Sequence, residues 1–178
     1  MNFYFRNEFN EARIHDSELV KHTCEDGRIY WSLDDTLQSL HRDEGPAIIY
    51  PNGNLSWYQN GVLHREGAPA CTGDFGEMWY LNGEPHRDDG PAFTVHGNRD
   101  WYKHGERHRE DGPAVDMACG HKEWWVNGKQ HREDGPAVER RDGAVEWWWQ
   151  GTQVSEALQK ELRKPGALPL HLRRGPFL

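Results

Sequence analysis

The sequence predicts an all-β fold of tandem antiparallel β-hairpin repeats, forming an elongated, twisted single-layer sheet with a short C-terminal helix. Three observations predict it. One heptad returns five times: HRDEGPA at 41–47, HREGAPA at 64–70, HRDDGPA at 86–92, and HREDGPA at both 108–114 and 131–137. Its histidines stand 23, 22, 22 and 23 residues apart, a period that marks a repeat architecture. Between the copies lies a second element, G-x-x-x-W-[YW]-x-x-G. It runs through Gly53, Trp57-Tyr58 and Gly61, and recurs from Gly97, from Gly120 and from Gly143; the copy from Gly76 is one residue shorter before its Trp79. Finally, Asn52-Gly53, Asn60-Gly61, Asn82-Gly83 and Asn127-Gly128 recur where a two-residue hairpin turn requires φ > 0.

Taken along the chain, residues 1–40 read as an N-terminal cap with one degenerate repeat, in which Gly27 and Tyr30-Trp31 are followed by three extra residues before His41. Terminal units of a stack are atypical because they close its ends. Residues 41–153 form the hairpin array. In its third unit, residues 91–95 read as one strand, His96-Gly97 as a tight turn and residues 99–103 as the return strand. Two strands per unit set equivalent residues roughly 10 Å apart. Adjacent strand residues face opposite sides, which separates two aromatic columns. Trp31, Trp57, Trp79, Trp101, Trp124 and Trp147 are expected as a structural spine. Tyr58, Tyr80, Tyr102, Trp125 and Trp148 are expected as a partly open binding face, since a single-layer sheet leaves a face uncovered and exposed aromatic rows mark interfaces. Residues 154–178 hold a helix capped by Ser155 and stopped by Pro165, with Leu158 and Leu162 set to cover the last hairpin. The basic tail from Gly166 is expected to be a docking strap or disordered.

Composition narrows the function classes. The net charge is −8, but residues 151–178 carry five Lys or Arg against two Asp or Glu, so the first 150 residues hold −11. Such an acidic body is a poor partner for nucleic acid, whose backbone needs clustered cations, and a good one for a basic protein surface. No apolar run approaches the length of a membrane span, and the polar start 1–6 is no secretory signal. Cys24, Cys71 and Cys119, three in number and at non-equivalent repeat positions, argue for a reducing compartment, the cytoplasm.

The heptad pairs His41-Arg42, His64-Arg65, His86-Arg87, His108-Arg109 and His131-Arg132 are expected to staple turns, with Asp bonding local backbone and Arg pairing with acids. A metal reading fails on geometry: ligands converge to about 2 Å from one ion, while equivalent histidines lie about 10 Å apart. No metal or cofactor is expected. Nor is a catalytic residue, because the candidate acids and bases repeat along the array, whereas an active site is one constellation. The non-repeated Cys119-Gly120-His121 and Cys71-Thr72 carry no recognisable motif.

The Gly, Trp/Tyr and Asn-Gly positions between Gly27 and Gln153 resemble MORN-type repeats, above all the variant class of bacterial antitoxin-like proteins and of phage and large-virus proteins. The resemblance implies a single-layer antiparallel sheet that holds partners, while the heptad itself departs from the ordinary pattern. Together these readings predict a non-enzymatic inhibitor in a bacterial or infected host cell, an antitoxin, immunity or phage anti-defence protein, that occludes a basic surface of a protein target. A structural or assembly component, self-associating as a homo-oligomer, is one alternative. An acidic mimic of nucleic acid that blocks a nuclease is another.

Overall fold

Most repeats fold as two small hairpins joined at a tryptophan. The computed structural model describes residues 14–166, in two compact units, Met1–Glu84 and Pro85–Leu178. Both consist of antiparallel, hairpin-linked strands, and one short helix follows the last of them. The expected all-β hairpin fold is therefore the fold observed.

In the first unit β1 (Val20–Thr23), β2 (Ile29–Ser32), β3 (Ile48–Ile49) and β4 (Leu55–Ser56) pair in chain order. A separate hairpin follows, β5 (Tyr58–Gln59) with β6 (Val62–Leu63). Then β7 (Cys71–Gly73) returns beside β4 and pairs with β8 (Gly76–Met78). The side hairpin of β9 (Tyr80–Leu81) and β10 (Glu84–Pro85) comes last.

The second unit repeats the plan. Its sheet is laid by β11 (Phe93–Val95) and β12 (Asn98–Asp100), after which β13 (Tyr102–Lys103) and β14 (Glu106–Arg107) stand apart as a side hairpin. The next repeat adds β15 (Val115–Asp116) and β16 (Lys122–Glu123), with β17 (Trp125–Val126) and β18 (Lys129–Gln130) aside. The sheet ends with β19 (Val138–Glu139), β20 (Val145–Trp149) and β21 (Thr152–Val154).

The single return strand expected over 99–103 is thus broken at Trp101, and the hydrogen bonds give the reason. The Trp101 N–H donates to the Ala114 carbonyl at 2.7 Å, and its carbonyl accepts from the His108 N–H at 3.1 Å. The two backbone groups of one tryptophan therefore clamp both ends of one heptad, and the chain bends to reach them. Trp57 clamps His64 and Ala70, Trp124 clamps His131 and Ala137, and Trp31 clamps His41 and Ala47 in the same way. The closing alanines Ala47, Ala70, Ala92, Ala114 and Ala137 have no exposed surface at all, so this position admits no larger side chain without displacement. Val115, Val138, Cys71, Ser32 and Ser56 are also buried in the sheets, with Trp31 and Val154.

Two kinds of turn recur, and the sheet hairpin of β11 and β12 shares the side-hairpin kind at His96-Gly97. In the side hairpins both central residues have φ > 0, as at Asn60-Gly61 and Asn127-Gly128, the form that suits the strand twist. Asn52-Gly53, expected to be of that kind, is not. Only Gly53 has φ > 0, and its N–H bonds Tyr50 across a three-residue loop.

Helix α1 (Glu156–Leu162) is capped as expected, Ser155 Oγ accepting the Leu158 N–H at 3.2 Å. It ends before the expected Lys164. Leu162 is buried and Leu158 half-buried, but the most enclosed side chain is Gln159, whose Nε2 donates to the carbonyls of Arg132 and Gly135 at 2.5 and 2.7 Å. The tail beyond Gly166 lies outside the described residues. Among those described, no helix is long and apolar enough to cross a membrane.

Candidate interaction surface

The heptad is a loop folded around its tryptophan, and its residues divide between holding that loop and facing solvent. Arg42, Arg65, Arg109 and Arg132 each lay the guanidinium over the ring of the clamping tryptophan, 3.8–4.0 Å from its centroid. This is a contact Lys does not reproduce, since the planar fork both stacks and bonds. The same arginines donate Nη1 to the carbonyl of their own heptad proline at 3.1–3.2 Å. Nε of Arg87, Arg109 and Arg132 donates to Asp89, Asp111 and Asp134 at 2.8 Å. Arg42 instead takes Asp16 at 2.7 Å. Arg65, with Gly67 in place of the acid, has no carboxylate partner among the described residues, and burial lowers its pKa. A Cβ on Gly45, Gly90, Gly112 or Gly135 would sit 2.8–3.1 Å from the guanidinium carbon, so a residue without one stands there.

Histidine ties one repeat to the next. Nδ1 of His41, His64, His86, His108 and His131 accepts the backbone N–H of residues 60, 82, 104, 127 and 150, at 3.1–3.3 Å. Each acceptor serves the first φ > 0 residue of the following side hairpin, where the ladder leaves that N–H unpaired. The expected staple residues thus lie together in one loop per repeat, and the histidine's reach across 18 or 19 residues is what the sequence alone did not disclose.

What these loops present outward is acid. In the second unit Asp88, Asp89, Glu110, Asp111, Glu133 and Asp134, two from each successive heptad, have side chains 71–84% exposed. The arginine hydrogen bonds hold the carboxyls of Asp89, Asp111 and Asp134 below the usual range, so these three are ionised at neutral pH. Between adjacent loops lie two grooves of about 560 and 680 Å³. The first runs between Asp88-Asp89 and Glu110-Asp111 beside Trp101, the second between Glu110-Asp111 and Glu133-Asp134 beside Trp124 and Val126.

Both aromatic columns are half-buried along most of their length. Trp31 is buried, and Trp57, Trp79, Trp101, Trp124 and Trp147 are half-buried. Tyr58, Tyr80, Tyr102, Trp125 and Trp148, expected to be the partly open face, are half-exposed, and three of them are bonded within the fold. Trp125 Nε1 donates to Glu123 at 2.7 Å and Trp148 Nε1 to Glu146 at 3.1 Å. Tyr102 accepts from Arg107 Nε at 3.1 Å and lies against Phe93, and burial pushes the Tyr58 hydroxyl pKa up. For Tyr102, Trp125 and Trp148 the physical reason is a row of carboxylates two residues before them, Asp100, Glu123 and Glu146, which draws indole and guanidinium groups over the sheet.

That row contains the molecule's one non-repeated ionic cluster of this size among the described residues. Arg107 reaches Asp100 at 3.5 Å and Glu123 at 4.0 Å, and His121 Nε2 lies 2.8 Å from Glu123. Burial raises the Asp100 pKa against the pull of Arg107; burial also pushes Glu123 up, but His121, Trp125 and Arg107 outweigh it and leave it lowered. Two carboxylates with separated proton affinities are a pattern shared with acid–base sites. Here both carboxylates share one arginine, and Glu123 is further occupied by His121 and Trp125, an arrangement that holds strands together. His121 was visible in the sequence beside Cys119; Asp100, Arg107 and Glu123 were not singled out, because nothing local marks residues that meet only across strands.

Cys71 is buried beside Ser56, and burial raises its thiol pKa, while Cys24 is half-buried and Cys119 exposed. Among the described residues, no group of three or more His, Cys, Asp or Glu is arranged to hold a metal ion. No family model matches the chain, and no curated protein matches it significantly.

Proposed function

We propose that the chain is a non-enzymatic, protein-binding repeat protein that inhibits its target by covering a basic surface. The observation that supports this reading most is the acidic loop row: six exposed carboxylates on three consecutive heptads, flanking two grooves. Complementary charge of this kind steers encounter and selects partners. The MORN-like character of the repeats agrees with a holding role, and an antitoxin, an immunity protein or a phage anti-defence protein of the cytoplasm fits it. We place the binding role on the heptad loops rather than the aromatic column, because the polar atoms of Tyr102, Trp125 and Trp148 are engaged within the fold whereas the loops point their acids to solvent.

The test is affinity capture with the full chain from cells that produce it natively. The expected result is a stoichiometric basic protein released as salt rises from roughly 0.05 to 0.5 M, where screening shortens the reach of charge. The Asp88→Lys/Glu110→Lys/Glu133→Lys variant, altered only at exposed positions, is expected to capture none of it. Capture of further copies of the chain alone would favour a self-assembling structural part. A partner retained by the charge-reversed variant would overturn the reading.

A further inference from the structure

The two grooves differ at two positions: the first acid of the leading heptad is Asp88 in one and Glu110 in the other, and the residue two beyond the clamping tryptophan changes from a cation to an apolar side chain. In the first groove this residue is Lys103, whose Nζ lies 3.3 Å from Asp88 and holds that carboxyl below its ordinary pKa. In the first unit the same position is Gln59, whose Nε2 donates to Asp43 at 3.0 Å. The fold thus supplies its own partner to each of these two aspartates. In the second groove the position is Val126, and the acid it would serve is Glu110, whose sole ionic neighbour among the described residues is His108 at 3.9 Å. Glu133, on the opposite wall of that groove, has Trp149 two residues beyond Trp147 and only His131 at 3.8 Å. Lys103 shows where a cation sits on this scaffold. Val126 leaves the equivalent place without one.

We propose that the groove between loops 108–114 and 131–137 receives basic side chains of a polyproline II segment of the partner protein, one cation at Glu110 and the next at Glu133. The proposal rests on the protein-binding reading above. Its spacing follows from the sheet: two strands per repeat, each about 4.8 Å from the next, place successive heptads about 10 Å apart. A polyproline II helix turns once every three residues and advances about 9 Å in doing so, so side chains at i and i+3 share one face. In a β-strand the residues i and i+3 point to opposite faces, and only one of the two glutamates would be met. Pro113, Val126 and Trp124 give the groove an apolar lining suited to the prolines between the cations.

The probes are two fluorescein-labelled peptides of equal composition, (Arg-Pro-Pro)4 and its isomer with all arginines clustered at one end, titrated into the full chain by fluorescence anisotropy. The spaced peptide is expected to bind about 10-fold more tightly, one factor of ten being about 1.4 kcal/mol. Val126→Lys gives Glu110 the internal partner that Asp88 already has, and is expected to weaken binding about 10-fold; Lys103→Val opens the first groove and is expected to strengthen it. Glu110→Gln/Glu133→Gln, at exposed positions, provides the same loss should Val126→Lys disturb the fold, which circular dichroism checks. Equal affinity for the clustered peptide, or unchanged affinity in the folded variants, overturns the groove assignment. That failure is separate from failure of the basic-surface reading, which is judged by charge reversal against the captured protein.

Discussion

At Nδ1 the ring of His131 accepts the Gln150 N–H, so it holds that turn only while this nitrogen carries no proton. Burial lowers its pKa, and Glu133 opposes the shift without cancelling it. A histidine whose folded pKa lies below its unfolded value of about 6.5 adds stability above that pH and loses it as pH falls through the folded value. The thermal midpoint is therefore expected to fall as pH drops from 7.5 to 5, and His131→Asn is expected to flatten that slope. Asn keeps an acceptor near the Gln150 N–H and removes the titration. A single hydrogen bond of this kind contributes about 1 kcal/mol, so the flattening is a matter of a few degrees, read by calorimetry across pH. An unchanged slope in His131→Asn would place the acid sensitivity elsewhere. The loop aspartates belong to a lower window: Asp89, Asp111 and Asp134 are held ionised by their arginines, so what they contribute is present above about pH 4 and is lost below it.

At the scale of elements, the two turn types place different demands on glycine. Gly53 and Gly61 have nearly the same backbone, φ +85° and +80°, yet a Cβ on Gly53 meets nothing within 4 Å, while one on Gly61 falls 2.2 Å from the Gln38 carbonyl oxygen. Gly53→Ala is thus expected to cost about 1–2 kcal/mol, the penalty of a side chain in the left-handed region. Gly61→Ala carries the same penalty plus a collision with backbone that no side-chain rotation relieves, and is expected to cost about 2–3 kcal/mol more. Urea denaturation of the two variants reads the difference, and equal costs would remove the collision from the account. The hairpin plan was legible in the sequence because Gly, Asn-Gly and the heptad recur in phase. The doubling of hairpins was not, since it depends on Trp101 bonding two residues six positions apart in another segment. Likewise the engagement of the second aromatic column was hidden because its partners vary along the array, an acid at Glu123 and Glu146 before two of its tryptophans and Arg107 beside Tyr102, and Gln159 read as a solvent-facing helix residue although it is sealed.

At the scale of the whole chain, a repeat stack is held by neighbour contacts, so its ends need closing. The hairpin of β20 and β21 lies over the heptad of 131–137, bonded to it through Gln150 and His131, but no further heptad follows to continue the stack. Helix α1 takes that place instead, with Gln159 donating both amide hydrogens to carbonyls of that loop, at Arg132 and Gly135, and Leu162 buried beside it. Gln159→Ala leaves two enclosed carbonyls without donors and opens a gap where a long side chain was. Each unmet group costs about 1–3 kcal/mol, enough to free the helix without unfolding the sheet. Because coupling runs from neighbour to neighbour, the damage should stay near its source. In the full-length variant, amide exchange is expected to quicken across residues 131–162 and to remain at the wild-type rate in β11 and β12, two repeats away, as local opening rather than global unfolding requires. Exchange that rose equally through β11 and β12 would instead mean that the second unit opens in one cooperative step, and that its C-terminal helix stabilises every repeat in it.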